Sequence, residues 1–303
     1  MRRVAAVVVT YNRKELLAQC LACLQNQQVP CEIWVIDNAS TDGTRAMVKG
    51  QAIPGLRYCN TGANLGGAGG FWYGIRAAVE DGCDALWIMD DDTLPQPDAL
   101  AALLRADAAL AGAYGWLSSR ALAPDGGDQP MNRQRSTPYR DIAGYDGALV
   151  PAVMASFVSL FLRADAVRRF GLPLRQFFIW SDDWEYTRRI SRALPCYVTP
   201  ESRVTHAMKQ NSVVNIAADS LERLPRYRYF YRNDVVLYRQ EGPAGMLWLV
   251  AKDLWHSVQV LSKRPPRWQE RLSVIWHGYA EGLHFHPAVE WPGAEVPEQE
   301  DAP

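Results

Sequence analysis

Three consecutive carboxylates, Asp90-Asp91-Asp92, follow the apolar run Leu86-Trp87-Ile88-Met89. Such a run reads as a strand kept from water, so the charges emerge at a buried edge. In an extended chain Asp90 and Asp92 face one way and Asp91 the other. Neighbouring carboxylates repel one another unless a cation or hydrogen-bond donors compensate. A hard divalent ion, held by one or two carboxylates together with a ligand's phosphates, meets that need. The plainer alternative is that Asp92-Thr93 caps a helix beginning near Pro95, a task for one such residue rather than three.

A second acidic cluster lies among aromatic rings, in Phe177-Phe178-Ile179-Trp180-Ser181-Asp182-Asp183-Trp184-Glu185. A carboxylate between apolar rings has a route to a raised pKa and to general-base work. The rings of Trp180 and Trp184 can stack on the flat faces of sugars. Ser181 and Asp182 also suit the start of a helix, a purely structural role. Further on, His206 follows the strand-like Cys196–Thr199 and a turn at Pro200. A lone histidine is ordinarily structural; beside a carboxylate-bound metal it becomes a candidate ligand.

Alternating elements are needed to bring these groups together. Val4–Thr10, Glu32–Ile36, Leu56–Cys59 and Ala85–Met89 read as buried strands, with helices over Lys14–Leu24, after Thr41-Asp42-Gly43-Thr44, and over Gly69–Val79. That alternation predicts an α/β fold with a mostly parallel sheet flanked by helices. Ligands of such sheets sit beyond the carboxyl ends of the strands. Those ends carry Thr10-Tyr11-Asn12, Asp37-Asn38, Asn60 and the aspartate triplet. Asn64-Leu65-Gly66-Gly67-Ala68-Gly69-Gly70 reads as a glycine-rich loop opening a helix, suited to a phosphate or to close packing. The first strand-to-helix turn has no glycine, which counts against a dinucleotide-binding dehydrogenase.

Pro95–Ala111 reads as a helix, 118–147 as a long polar loop, Val153–Leu162 as strand-like and Ser181–Ala193 as helical. The divisions predicted are a catalytic unit over 1–220, a helical extension over 221–290, and a disordered acidic tail over 291–303. In the extension, Leu247, Val250, Leu254, Val258 and Leu261 recur at helical spacing, as do Trp268, Leu272, Ile275, Trp276, Tyr279 and Leu283. With Lys263-Arg264-Pro265-Pro266-Arg267 between them, these helices suit a membrane interface, or equally packing on the catalytic unit or another subunit.

Acidic and basic side chains balance at 33 against 32, which gives no global field for nucleic acid. No apolar run approaches the roughly 20 residues of a bilayer span. Met1–Val9 is basic and then apolar like a short leader, but reads better as a first buried strand. Six scattered cysteines, including Cys20 and Cys23 as a CxxC within a helix, read as reduced thiols and fit a cytoplasmic location.

Taken in order, Val8-Val9-Thr10-Tyr11-Asn12-Arg13, Asp37 through Thr44, Asn64 with its glycines, and Asp90-Asp91-Asp92 resemble the family 2 glycosyltransferases of GT-A fold over roughly residues 3–210. The resemblance implies inverting transfer from a nucleoside diphosphate sugar. Thr10, Tyr11 and Asp37 would hold base and ribose, with Asn12, Asn64 and Gly67 also on the donor. Asp90 and Asp91 would contact the nucleotide-sugar, and Asp92, with Asp90, would bind Mg²⁺ or Mn²⁺. Asp183 matches the catalytic base, the second acid of the family's Glu-Asp pair, whose first acid is Asp182 here.

Trp-x-Asp-Asp-x-Glu-Tyr and Asn-x-Gly-Gly-Ala-Gly-Gly are most similar to the bacterial galactofuranosyltransferases, whose metal site a later histidine completes, as His206 would. The donor implied is UDP-galactofuranose and the acceptor a cell-surface glycan or a polyprenyl-linked one, with the enzyme cytoplasmic or peripheral on the inner face of the plasma membrane. Rhamnosyltransferases using dTDP-rhamnose are similar too, and Tyr231-Arg232-Asn233 matches both groups. Two other classes compete: a sugar nucleotidyltransferase, which ordinarily has a basic glycine-rich loop after its first strand, and a non-catalytic carbohydrate-binding protein, which does not need both acidic clusters.

Overall fold

A computed structural model describes residues 2–208 and 214–294. The first half runs β1 (Val4–Thr10), α1 (Lys14–Gln25), β2 (Glu32–Asp37), α2 (Thr44–Lys49), β3 (Leu56–Asn60), α3 (Gly66–Glu80) and β4 (Ala85–Asp90). Next come β5 (Thr93–Pro95), α4 (Ala99–Ala109), β6 (Leu117–Leu122), a hairpin of β7 (Arg135–Thr137) and β8 (Arg140–Asp141), and β9 (Val150–Pro151). The strands end with β10 (Leu160–Arg163), α5 (Ala164–Phe170), α6 (Asp182–Ser191) and β11 (Tyr197–His206). Three helices follow: α7 (Tyr227–Arg239), α8 (Gly242–Lys263) and α9 (Trp268–His284).

The main sheet has the order β3-β2-β1-β4-β10-β6-β11-β5, with β9 beside β11. Its first four strands are parallel, while β10 runs antiparallel to β4 and β6. Every residue of β1 is buried, because helices cover both faces. Ala5, Val7 and Val9 join Ile36, Phe71, Ile75 and Ile88 in one apolar layer. Val4, Ala6 and Val8 join Leu17, Leu21, Trp87 and Leu103 in the other. Cys20 belongs to that second layer, where burial pushes its thiol well up, while Cys23 is half-buried on the same helix.

Glycines set how closely α3 meets the sheet. A methyl added at Gly74 would stand 2.5 Å from Val7 Cγ1, and one at Gly70 would stand 2.5 Å from Val9 Cγ1. The glycine-rich stretch is therefore mostly helix: α3 begins at Gly66 rather than Gly69.

Three other expectations change. Thr93–Pro95 is a strand antiparallel to β11 and α4 starts only at Ala99, so Asp92-Thr93 caps no helix. Pro95 and Pro97 explain the delay, since each disfavours helix in the residue before it. The polar stretch after 118 begins as β6, at the heart of the sheet between β10 and β11. Within Val153–Leu162 only the last three residues are strand, the start of β10.

In the C-terminal part, α7 lies against α9 at glycine contacts. A methyl at Gly282 would meet the Arg232 carbonyl at 2.6 Å, and one at Gly278 would meet Tyr231 Cβ at 2.8 Å. Beyond α9 the chain returns to the α/β part: Arg175 pairs with Glu290 at 3.0 Å, and the Gly293 amide donates to Glu80 on α3. Of the tail from 291, residues past 294 lie outside the described part. Among the described residues, no helix is long and apolar enough to cross a membrane.

Candidate active site

Register places the strand-end groups side by side. Asn60 pairs with Asp37, Asp37 with Thr10, and Asp90 with Val9, so four adjacent strands present polar groups along one sheet edge. β4 ends at Asp90 and the chain turns at Asp91 and Asp92. That turn breaks the strict up-and-down alternation, and both later aspartates reach one cation. Arg13 Nη1 stands 2.8 Å from Asp92 Oδ2 and 3.4 Å from Asp91 Oδ1, while the Thr10 hydroxyl donates to Asp91 Oδ2 at 2.7 Å.

Burial pushes Asp90 up to about 7, with Asp92's charge adding to it. Asp91 rises to about 6, also through burial and against the pull of Arg13. Burial would raise Asp92 as well, but His206 and Arg13 outweigh it and hold this carboxyl below the usual range.

His206, at the end of β11, arrives beside the triplet because it pairs with Thr93. Its Nδ1 lies 2.7 Å from Asn132 Oδ1. The Asn132 amide is oriented by donating from Nδ2 to Ser156 Oγ, so Oδ1 is the acceptor and His206 Nδ1 carries the hydrogen. His206 Nε2 stands 3.1 Å from the buried Asp92 Oδ1: a protonated ring donates to this carboxylate there, and a neutral one turns a lone pair on it. With the ring neutral, these two atoms are electron-pair donors that a cation can join. Adjacent ligands of an octahedral ion with bonds of about 2.1 Å sit about 3 Å apart, which this pair matches. The residues present thus fit a divalent metal. A separate acidic cluster of Glu32 and Asp81 is already neutralised by Arg3 and Arg57.

The second acidic cluster opens α6. Asp182 is buried and Asp183 half-buried. Burial lifts Asp182 to about 7. Asp183 is pushed well above the carboxylate range, first by burial and then by Asp182; Asp90's charge adds to it, so the two clusters stand within mutual electrostatic reach. One Asp183 oxygen accepts the Trp184 amide at 2.7 Å, which fixes its rotamer. Glu185 is committed elsewhere, to Arg189 and Gln240.

The loop before α6 is strained. Phe178, Trp180 and Ser181 have φ values of 64°, 66° and 63°, a region costly for residues with side chains. One side chain from α7 holds them: Asn233 Nδ2 donates to the carbonyls of Phe177 (3.0 Å), Ile179 (3.1 Å) and Trp180 (2.9 Å). Its Oδ1 accepts from Arg232 Nε and Nη2. Ser181 does not cap α6; its hydroxyl donates to Asp234, which Lys252 of α8 also binds. The loop is seated on α3, where Ala68 donates to the Phe178 carbonyl and a methyl at Gly66 would overlap that oxygen.

The other predicted residues divide. Tyr11 is 43% exposed at the rim, and Asn64 and Gly67 lie at the open start of α3, where a methyl on Gly67 would meet nothing. Asn12 is exposed and accepts the Thr41 amide at 2.7 Å. Asp37 is fully buried and accepts from the Tyr58 hydroxyl and the Ser40 amide. Trp180 packs its ring edge-on to Tyr227 and Phe230, and Trp184 has Arg135 over its face at 3.7 Å.

Sequence reasoning gave Arg13 and Asn233 no role beyond their place in the motifs of the resemblance, and missed Asn132 and Asp234. Only the Tyr231-Arg232-Asn233 resemblance pointed toward α7, without a mechanism. Asn132 stands in a polar stretch with no distinguishing pattern.

The family model described as glycosyl transferase family 2 matches residues 5–158. Galactofuranosyltransferase GlfT1 of Mycolicibacterium smegmatis is 33% identical over 199 residues, covering 63% of this chain and 66%, just under two thirds, of that protein. Galactofuranosyltransferase GlfT1 of Mycobacterium tuberculosis is 30% identical over 258 residues, covering 79% of this chain and 83% of that protein. Among solved structures, the mannosyltransferase PcManGT from Pyrobaculum calidifontis, in complex with GDP-Man and Mn²⁺, superposes with a TM-score of 0.54 at 16% identity, over 95% of this chain and 77% of that one.

Proposed function

Since the chain belongs to the family 2 glycosyltransferases and has their GT-A fold, we propose that it is an inverting, metal-dependent enzyme that moves galactofuranose from UDP-galactofuranose to a hydroxyl of a glycan or lipid-linked glycan. The observation that supports this reading is the register that lines Thr10, Asp37, Asn60 and the aspartate triplet along one sheet edge, with the acidic pair opening α6 as the candidate base. The identity to galactofuranosyltransferases supports the choice of sugar.

Asp92, Asp90 and His206 would hold Mg²⁺ or Mn²⁺. The ion, when bound, offsets charge on the departing diphosphate. Arg13 orients Asp91 and Asp92 and keeps the triplet from flying apart before the donor arrives. In the bound complex, Thr10, Tyr11, Asn12 and Asp37 would line the nucleotide, with Asn64 and Gly67 at its edge.

Asp183 takes the proton of the acceptor hydroxyl as that oxygen attacks the anomeric carbon opposite the diphosphate. The carbon–diphosphate bond breaks with inversion, and the proton stays on Asp183. A raised pKa strengthens this carboxylate as a base near neutral pH. Trp180, Trp184 and Asp182 frame the acceptor side, where alignment of donor and acceptor supplies much of the barrier reduction.

The test is Asp183→Asn with UDP-galactofuranose among a panel of UDP-, dTDP- and GDP-sugars. Transfer is expected to vanish while metal-dependent donor binding stays near that of the wild type. Near-normal turnover by the variant would remove Asp183 from the base role. Binding of another donor alone would change the sugar.

A further inference from the structure

Helix α8 carries its charges on the wrong side for a solvated helix. Between Gly242 and Ser262 its only formally charged residues are Lys252 and Asp253, and both point inward, with side chains 13% and 0% exposed. Lys252 reaches Asp234, and Asp253 lies at 3.5 Å from the same ammonium. His256 also turns in, toward the Tyr231 hydroxyl. The outward face shows Leu247, Leu254, Trp255, Val258 and Leu261, each between 48% and 74% exposed. From Leu247 to Leu261 this strip runs about 21 Å at 1.5 Å per residue, with no charge interrupting it.

A soluble face of this length ordinarily carries lysines and glutamates. Here the cations gather at one end instead: Lys263 and Arg264 are exposed where α8 stops, and Arg267 follows before α9. A straight apolar strip with a basic cluster at its end suits an anionic lipid surface, the strip lying at the acyl boundary and the long cationic side chains reaching the headgroups. The buried ammonium and carboxylates on the opposite face require protein beneath the helix, so α8 lies along such a surface rather than through it.

We propose that α8 is a membrane-docking helix that lays the strip from Leu247 to Leu261 on an anionic bilayer, with Lys263 and Arg264 among its headgroups. The docking does not depend on which sugar is transferred, or on transfer at all.

Flotation of the full-length protein with mixed phosphatidylglycerol–phosphatidylcholine vesicles, against pure phosphatidylcholine, tests this. The wild type should float with the mixed vesicles. Leu254→Gln combined with Val258→Gln should lower partitioning by at least about tenfold. Lys263→Gln combined with Arg264→Gln should lower it by about fivefold per charge on the anionic vesicles and little on the neutral ones. These positions are exposed, so unchanged melting curves will show that the variants fold. A wild type that stays at the bottom of the gradient overturns the proposal, as does a Leu254/Val258 variant that floats undiminished. A concentration-dependent dimer that dissolves on Leu254→Gln, without vesicle binding, assigns the strip to a second copy and equally overturns it.

Discussion

Replacing Asn233 with alanine separates stability from catalysis in a way the structure lets one size. The native amide donates to three carbonyls, at 3.0, 3.1 and 2.9 Å, and accepts two bonds from Arg232. A neutral hydrogen bond contributes about 1 kcal/mol net, a charge-assisted one about 1.5–3, and a stranded buried acceptor costs about 1–3. Two N–H donors and one charge-assisted acceptor together make a loss of about 3–5 kcal/mol. Against this stand three left-handed residues at about 1–3 kcal/mol each. The strain thus matches the clamp, and without Asn233 the loop has every reason to relax. Asp183 follows directly and would move with it.

Misplacement of about 1 Å costs on the order of a hundredfold in rate. Asn233→Ala should therefore lower kcat by about that factor, measured by release of nucleoside diphosphate, while titration calorimetry shows donor affinity within about threefold of wild type. Asn233→Asp, nearly isosteric, puts an acceptor against the three carbonyls and should be at least as damaging. An alanine variant that loses stability but keeps its kcat would refute the coupling of clamp to base.

Other outcomes follow from the same geometry. Asp92→Ala and His206→Ala should each weaken Mn²⁺-dependent donor binding by about 10–100-fold, and Asn132→Leu, which frees the His206 ring, should do so to a lesser degree, read by calorimetry with and without Mn²⁺. Gly74→Ala, although alanine favours helix by about 1 kcal/mol, should destabilise the fold by about 1–3 kcal/mol in urea unfolding, because the new methyl meets Val7 and Ile36 within 2.7 Å. Burial raises Asp253 to about 7 in the fold. The folded state thus holds a proton that the unfolded chain releases near pH 4, and this contribution to stability is full below pH 4 and lost as pH rises through about 7. Melting curves between about pH 5 and pH 8 should show Asp253→Asn losing less stability than the wild type as pH rises.

Much of the parallel half was legible because its strands are buried on both faces and read as unbroken apolar runs, from Val4–Thr10 to Ala85–Met89. The strand-end groups followed from that, since each run stops at a polar residue. β6 was hidden because Leu117–Leu122 mixes serine and arginine into a strand whose pairing is decided by β10 and β11 far away in sequence. α7 falls inside the helical extension expected over 221–290, but its own bounds were not legible, because its tyrosines and Arg232, Asn233 and Asp234 do not alternate as a surface helix should; all are buried or half-buried by partners that no local pattern names. The glycines near Gly66 looked like a phosphate loop, yet Gly70 seats α3 on the sheet and Gly66 seats the strained loop on α3. His206 became informative only through its register with Thr93.

The clamp also bears on how the protein is made. At 53 residues beyond Trp180, Asn233 leaves the ribosome about 3–10 s after the loop it will hold, at about 5–20 residues per second. Both acidic clusters have by then been synthesised, but the three left-handed residues lack their clamp. A nascent chain interrupted before α7 would carry the acids without their arrangement, so activity should appear late in synthesis and all at once, when the last helices close over a loop that has waited for them.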